Sequence, residues 1–333
     1  MFELSIHDIS LLPGIDLSGN TVYHYIAYIV LLLGFIYLLV NYQARTLVKT
    51  RRLLHEKEKA FEEIARQRQE LENKNINITD SLVYASYMQQ ALLPSEDYFK
   101  SIMPDSFIFF KPKDIVSGDF YWITKKNGKI FIVVADCTGH GVPGAFMSMI
   151  GLELLNKIIL DQNIQRPADI LQVLARGIER TFRRDSGKKE WLKDGMDIGL
   201  CAIDESRGEL QYSGAFLPLY LIRDNKLTEI KGDRLTIGLS GQLSFMNNSM
   251  GVEEGDVIYL FSDGFADQFG GPNNKKFMYR RFRHLLLAIH KFPPEEQKII
   301  ISDSIDNWRQ DIEQVDDMLV IGIMPGARAP LIL

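Results

Sequence analysis

Residues 129–146 read KIFIVVADCTGHGVPGAF. From Phe131 to Ala135 the run is almost wholly apolar and β-favouring, the pattern of a buried strand. Asp136 marks the point where that strand reaches solvent, and the turn after it feeds a helical pattern from Gly144 to Leu160. An acid between a strand end and a helix start is a frequent address for an active site. Two further aspartates are expected where a strand runs out into a turn: Asp263 in DVIYLFSDG and Asp119 in IVSGDFYWI. The Asp316-Asp317 pair enters MLVIGIM with the polarity reversed, acid first and strand second. Taken singly, each Asp also reads as a turn residue bonding its own backbone. Together they offer the oxygen ligands that hard divalent cations need. Gly follows Asp263 and precedes Asp119, which allows the backbone to approach closely.

The chain has 333 residues, enough for one large domain plus extensions or two modest ones. A net charge of −5 weighs against nucleic acid as the main partner, since no global basic field exists to hold phosphates. The two cysteines, Cys137 and Cys201, are far apart and form no CxxC pair. Neither a disulfide framework nor a thiolate zinc site is indicated, and a reduced cytosolic setting fits the main domain.

Residues 21–42 include VYHYIAYIVLLLGFIYLLVNY, a charge-free stretch long enough to cross a bilayer as a helix, with Tyr towards both ends. A cleaved signal peptide is the alternative, but no basic segment precedes the stretch and no small-residue cleavage site follows it. The short segment before it, residues 1–20, holds only acids, whereas Arg45, Lys49, Arg51 and Arg52 follow, placing the C-terminal bulk in the cytoplasm as a single-pass protein of the inner or plasma membrane. Residues 43–80 form a helical stalk that continues towards Leu93 without Pro or Gly. Leu47, Leu54, Phe61 and Leu82 occupy heptad a positions, and Ile64, Leu71, Ile78, Ala85 and Leu92 occupy d positions, predicting a homodimeric coiled coil. Arg68, Asn75 and Gln89 interrupt the a positions; a single solvated helix is the competing expectation. Pro94 ends the helix.

Beyond Pro94, strands are expected at residues 107–110, 120–124, 130–135, 198–203, 209–213, 219–222, 257–261 and 319–324, and helices at 144–160, 168–184, 280–290 and 294–313. The strands between Ile198 and Ile230 read as one antiparallel meander. Residues 265–276 read as a mobile loop, Met196-Asp197 as a structural strand start, and 326–333 as a short tail.

The strings DIVSGDFYW, ADCTGHGVPGAFMS, FSDGFADQFGG and VDDMLVIG, with QQALLP before them, resemble the metal-dependent protein phosphatases, the protein phosphatase 2C or PPM family. The likeness is to the bacterial branch typified by sporulation stage II protein E, and it spans residues 81–325. It implies an α+β fold, an αββα sandwich of two antiparallel sheets flanked by helices, with two Mn²⁺ or Mg²⁺ ions at one edge. It also implies a regulatory helix at 81–93. On that resemblance Asp136 bridges both ions and, with Asp119, carries catalysis; Cys137 contributes its backbone carbonyl; and Asp263 completes the shells. Asp316 matches the terminal acidic ligand, with Asp317 a water-bound neighbour or itself the ligand. Thr138 stands where eukaryotic members carry an active-site His, so no acid role passes to His140, which reads as a turn residue.

The expected function is a membrane-anchored serine/threonine protein phosphatase switched through its N-terminal helix, hydrolysing a phosphorylated signalling protein such as an anti-sigma antagonist-type domain. Lys111 and Lys113 are candidates to hold the substrate phosphate, or else solvated strand-end lysines. The alternatives are a catalytically inactive docking protein and, more distantly, a metal-dependent nuclease, which lacks support from any basic aromatic groove.

Overall fold

The structure is a computed structural model that describes residues 19–139, 141–183, 195–238 and 244–325. His140 and the 326–333 tail lie outside the described residues, as does nearly all of the expected 1–20 segment. The chain divides into two compact units between Asn77 and Ile78.

The first unit belongs to α1, which runs from Gly19 to Leu92. Its apolar stretch has a mean hydropathy of 2.0 and none of it is buried against the rest of the chain. Farther along, pairs such as Arg52–Glu56 and Lys74–Glu70 add i,i+4 support of about 0.3–0.5 kcal/mol each. The heptad residues Leu47, Leu54, Phe61, Ile64 and Leu71 are all exposed on the single chain.

The second unit is built on two sheets. In one, β1 (Ser106–Lys111), β12 (Met318–Ile323), β9 (Val257–Phe261), β6 (Leu219–Arg223) and β7 (Lys226–Ile230) lie in that order. The other is ordered β2 (Phe120–Lys126), β3 (Lys129–Cys137), β4 (Met196–Asp204), β5 (Glu209–Ala215) and β8 (Asn248–Gly251). All neighbours within these sheets are antiparallel. Helices α3 (Val142–Asn156) and α4 (Pro167–Arg183) cover the second sheet, while α6 (Met278–Ile289) and α7 (Pro294–Arg309) cover the first. The expected αββα order is therefore present.

Side-chain alternation explains the layers. On β3, Phe131, Val133 and Ala135 pack towards α3 and α4, while Ile130, Ile132 and Val134 pack between the sheets. This strand is buried on both faces, which is why its sequence is continuously apolar. Helix α3 and the π-helical turn Lys157–Asp161 also form a stretch long and apolar enough to cross a membrane, but half of it is buried, as in a core helix.

Several expectations need correction. The proposed meander is two hairpins in different sheets: β4 and β5 lie in one, β6 and β7 in the other. The chain crosses between them at Phe216-Leu217-Pro218, where Phe216 has φ +57 and Leu217 is buried between the sheets. The expected mobile loop after Asp263 is instead α5 (Gly264–Asp267) followed by a hairpin of β10 (Phe269–Gly270) and β11 (Lys275–Lys276). It is ordered by packing: Phe265 is buried, Phe277 meets Trp308 edge-to-face, and Gly271 donates its amide to the Trp308 carbonyl. Local composition signals a loop there, but the aromatic contacts that hold it come from α7. A short helix at Glu96–Ile102, α2, capped by the Ser95 side chain, was not expected.

Candidate metal centre

Strand parity brings the acids to one end of the space between the sheets. Asp136 continues the Ile130-Ile132-Val134 face of β3, and Asp197 continues the Cys201-Ile203 face of β4. The two are cross-strand partners. Asp317 precedes β12 on the face of Leu319 and Ile321, and Ser262 follows β9 on the face of Ile258 and Leu260. Asp263 comes next, immediately before α5. Asp119 lies immediately before β2 rather than after a strand, which corrects its expected polarity.

These groups feel one another. Burial, then the charges of Asp119, Asp263, Asp316 and Asp197, push the Asp136 carboxyl well above the usual carboxylate range. Burial likewise raises Asp119, with Asp317, Asp316 and Asp263 adding repulsion and a Ser262 hydrogen bond opposing it. Asp263 is also raised, burial first and the Asp316 charge next, with Asp136 and Lys276 opposing the rise. Asp197 is pushed up to about 6 by burial, against a hydrogen bond donated by Thr236.

Among the described residues, no group of three or more Asp, Glu, His or Cys side chains is drawn together closely enough to hold an ion as placed. The donor set nonetheless fits a hard divalent cation. All the acidic donors are oxygens, and Oδ2 of Asp119 is buried without any hydrogen-bond partner. Zinc-type thiolate ligation does not fit: burial, then the Asp136 charge, raises the Cys137 thiol far above its ordinary pKa. What Cys137 offers is its carbonyl, against which the Gly118 backbone packs so tightly that a Cβ there would lie 3.0 Å from the oxygen.

The turn leading to Asp119 is held from two sides. From α1, the buried Gln89 side chain donates Nε2 to the Ser117 carbonyl at 2.6 Å and to Ser148 Oγ at 2.8 Å, and its Oε1 accepts the Ser117 amide at 3.0 Å. Gln89 is thus a contact within the second unit rather than a coil interruption, and Leu82 and Ala85 are half-buried there as well. From β12, Asp317 accepts the amides of Lys113, Gly118 and Asp119. Gln89→Leu strands two buried backbone groups of Ser117 and is expected to cost about 2–3 kcal/mol, read as a lowered denaturation midpoint with an unchanged m-value.

The remaining candidates have partners of their own. The Lys111 ammonium pairs with Asp306 on α7 at 2.6 Å, so its partner is structural. Lys113 enters through its backbone amide. Thr138 exchanges hydrogen bonds with the Gly195 backbone. Near Asp263 the electrostatically relevant cation is Lys276 on the hairpin, itself paired with Asp267 at 2.7 Å. Ser262 carries no signal in the sequence, whereas Asp197 reads there as a structural strand start and Gln89 as a polar heptad position; the structure sets Asp197 across from Asp136 and Gln89 against Ser117.

The family model for stage II sporulation protein E (SpoIIE) matches residues 126–324, more than half of the chain. The SiaA-PP2C domain of Pseudomonas aeruginosa is 32% identical with a TM-score of 0.69, covering 75% of this chain and 98% of that one. Phosphoserine phosphatase RsbU of Bacillus subtilis is 26% identical over 196 residues, 57% of this chain and 54% of RsbU. The chain therefore spans about half the length of that curated relative. The PP2C phosphatase domain of SpoIIE from Bacillus subtilis, solved with a fragment of its regulatory domain, shares the fold at 19% identity and a TM-score of 0.53, covering 66% of this chain and 62% of that one. With that family match and an αββα sandwich, this chain belongs to the SpoIIE family of PP2C-type phosphatase domains.

Proposed function

We propose that this chain is a membrane-anchored, metal-dependent protein phosphatase that hydrolyses phosphoserine or phosphothreonine on a signalling protein. The observation that carries the reading is the buried, unpartnered Asp119 Oδ2 beside Asp136, Asp263 and Asp316. Two Mn²⁺ or Mg²⁺ ions, when bound, supply Lewis-acid activation of a water and charge neutralisation at the phosphoryl oxygens. Asp136, reached electrostatically by Asp119, Asp263 and Asp316, would be shared between them. Asp119, Asp263 and Asp316 hold the flanks, with the Cys137 carbonyl beside them. The buried sheet ends exclude bulk water from the inner side of the site. Homology to the phosphoserine phosphatase RsbU supports the reaction class, and the family likeness supports an anti-sigma antagonist-type domain as the substrate class.

The membrane assignment rests on the exposed apolar stretch of α1, and pairing of two chains rests on the exposed Leu47-Leu54-Phe61-Ile64-Leu71 series. In this reading the stalk controls the site through the helix end that carries Gln89. Leu71→Asp in the full chain is expected to lower phosphatase activity at least about fivefold while leaving the ligands untouched. Equal turnover of wild type and variant in detergent micelles would remove the stalk from the mechanism.

The inactive docking alternative predicts no turnover. Mn²⁺-dependent hydrolysis of p-nitrophenyl phosphate by the purified full chain, lost in Asp263→Asn, decides between them.

A further inference from the structure

We propose that Asp317 is a positioning residue that holds the turn from Lys113 to Asp119 in shape, rather than a ligand of the metal centre. The inference rests on the metal-centre reading above and assigns the second acid of the Asp316-Asp317 pair its task. Both carboxylate oxygens are engaged by one turn: Oδ1 accepts the Lys113 amide at 2.7 Å, and Oδ2 accepts the Gly118 amide at 2.7 Å and the Asp119 amide at 3.3 Å. The side chain is only 2% exposed. A carboxylate has about four acceptor positions, and three are filled here by backbone donors, which is also how its buried charge is compensated.

The neighbouring acid is placed otherwise. The charge of Asp316 acts on Asp119, Asp136 and Asp263 alike, whereas its neighbour's oxygens are taken up by backbone amides. The Asp317 charge bears most on Asp119, the residue whose amide it accepts. The turn it grips packs against the second metal-site loop: a Cβ on Gly118 would stand 2.8 Å from the Gly139 carbonyl and 3.0 Å from that of Cys137. Moving this turn therefore moves both Asp119 and the surroundings of the Cys137 carbonyl. Gln89 grips the same turn at Ser117, so loss of Asp317 loosens its two ends without releasing its middle.

Hydrogen–deuterium exchange of the metal-free full chain in detergent micelles tests the clamp without requiring catalysis. In the wild type, the 113–119 segment is expected to be protected before metal is added and to change less than about twofold on adding Mn²⁺. Asp317→Asn is expected to exchange there about tenfold faster, because an amide nitrogen cannot replace the lost acceptor, while Asp316→Asn stays at the wild-type rate. Counted by electron paramagnetic resonance, Asp317→Asn binds as many Mn²⁺ ions as wild type but more weakly, and raised Mn²⁺ restores its turnover. The proposal is overturned by wild-type exchange rates in Asp317→Asn, by loss of an ion in that variant, or by a wild-type segment protected only after Mn²⁺ is added. Should Asp317→Asn fail to fold, the wild-type comparison with and without Mn²⁺ decides alone. If wild type neither binds Mn²⁺ nor hydrolyses phosphoester, the exchange pattern still decides the clamp and only the metal-centre reading falls.

Discussion

Asp136→Asn is expected to reduce Mn²⁺-dependent hydrolysis of p-nitrophenyl phosphate on the order of 10³-fold, mostly in kcat. The residue lies near the end of β3 opposite Asp197, within reach of the charges of Asp119 and Asp263, at the position proposed for the bridge. The same substitution has an opposite effect on stability without metal. Asp119, Asp136 and Asp263 are all raised above the ordinary carboxylate range, by burial first and mutual repulsion second. A carboxyl raised on folding binds more protons folded than unfolded, so stability is lost as pH rises from the ordinary carboxylate value, about 4, through the raised one. Metal-free wild type should therefore unfold at a higher temperature near pH 5 than near pH 7.5, with Asp136→Asn flattening that dependence. Scanning calorimetry with chelator and with Mn²⁺ checks both halves. Unchanged Mn²⁺-dependent turnover in Asp136→Asn would falsify the bridge assignment.

Gly264→Ala is expected to destabilise the fold by about 3 kcal/mol and to abolish Mn²⁺ binding. A Cβ at this position would stand 1.9 Å from the Asp317 carbonyl oxygen, 3.0 Å from its carbon and 3.2 Å from Asp316 Cβ. Backbone cannot swing aside as a flexible side chain can, so either β12 or α5 must shift. Either movement separates Asp263 from Asp316, whose charges interact directly in the native arrangement. Urea unfolding and Mn²⁺ titration of the purified variant measure the two effects. Native stability together with native Mn²⁺ affinity would show that the two loops can part without cost.

Much of the fold was legible because its core strands carry strong local signals. Ile130–Ala135 reads as a strand buried on both faces, and so it is, with alternate residues entering different cores. The helices at 144–160, 168–184, 280–290 and 294–313 lie within a few residues of those observed, with α7 ending earliest, at Arg309. Pairing was less legible. The segment 198–230 contains two correct hairpins, but no local feature declares that the chain changes sheets between Ala215 and Leu219. Gln89 occupied a plausible coil position because heptad spacing does not say which surface meets a helix face. Lys111 looked like a free cation near Asp119 until α7, nearly two hundred residues later in the chain, supplied Asp306.

The sequence by itself determined that acids stand at the boundaries of apolar strands, that glycine adjoins two of them, and that a charge-free helix of membrane-crossing length precedes the domain. These follow from residue type and period, which act over a few neighbours. Only the tertiary structure decided that Asp197 stands across from Asp136 and that Gln89 and Asp317 grip the turn before Asp119. Those relations depend on strand register and sheet stacking between distant segments, and a one-residue change of register would send each side chain to the opposite face.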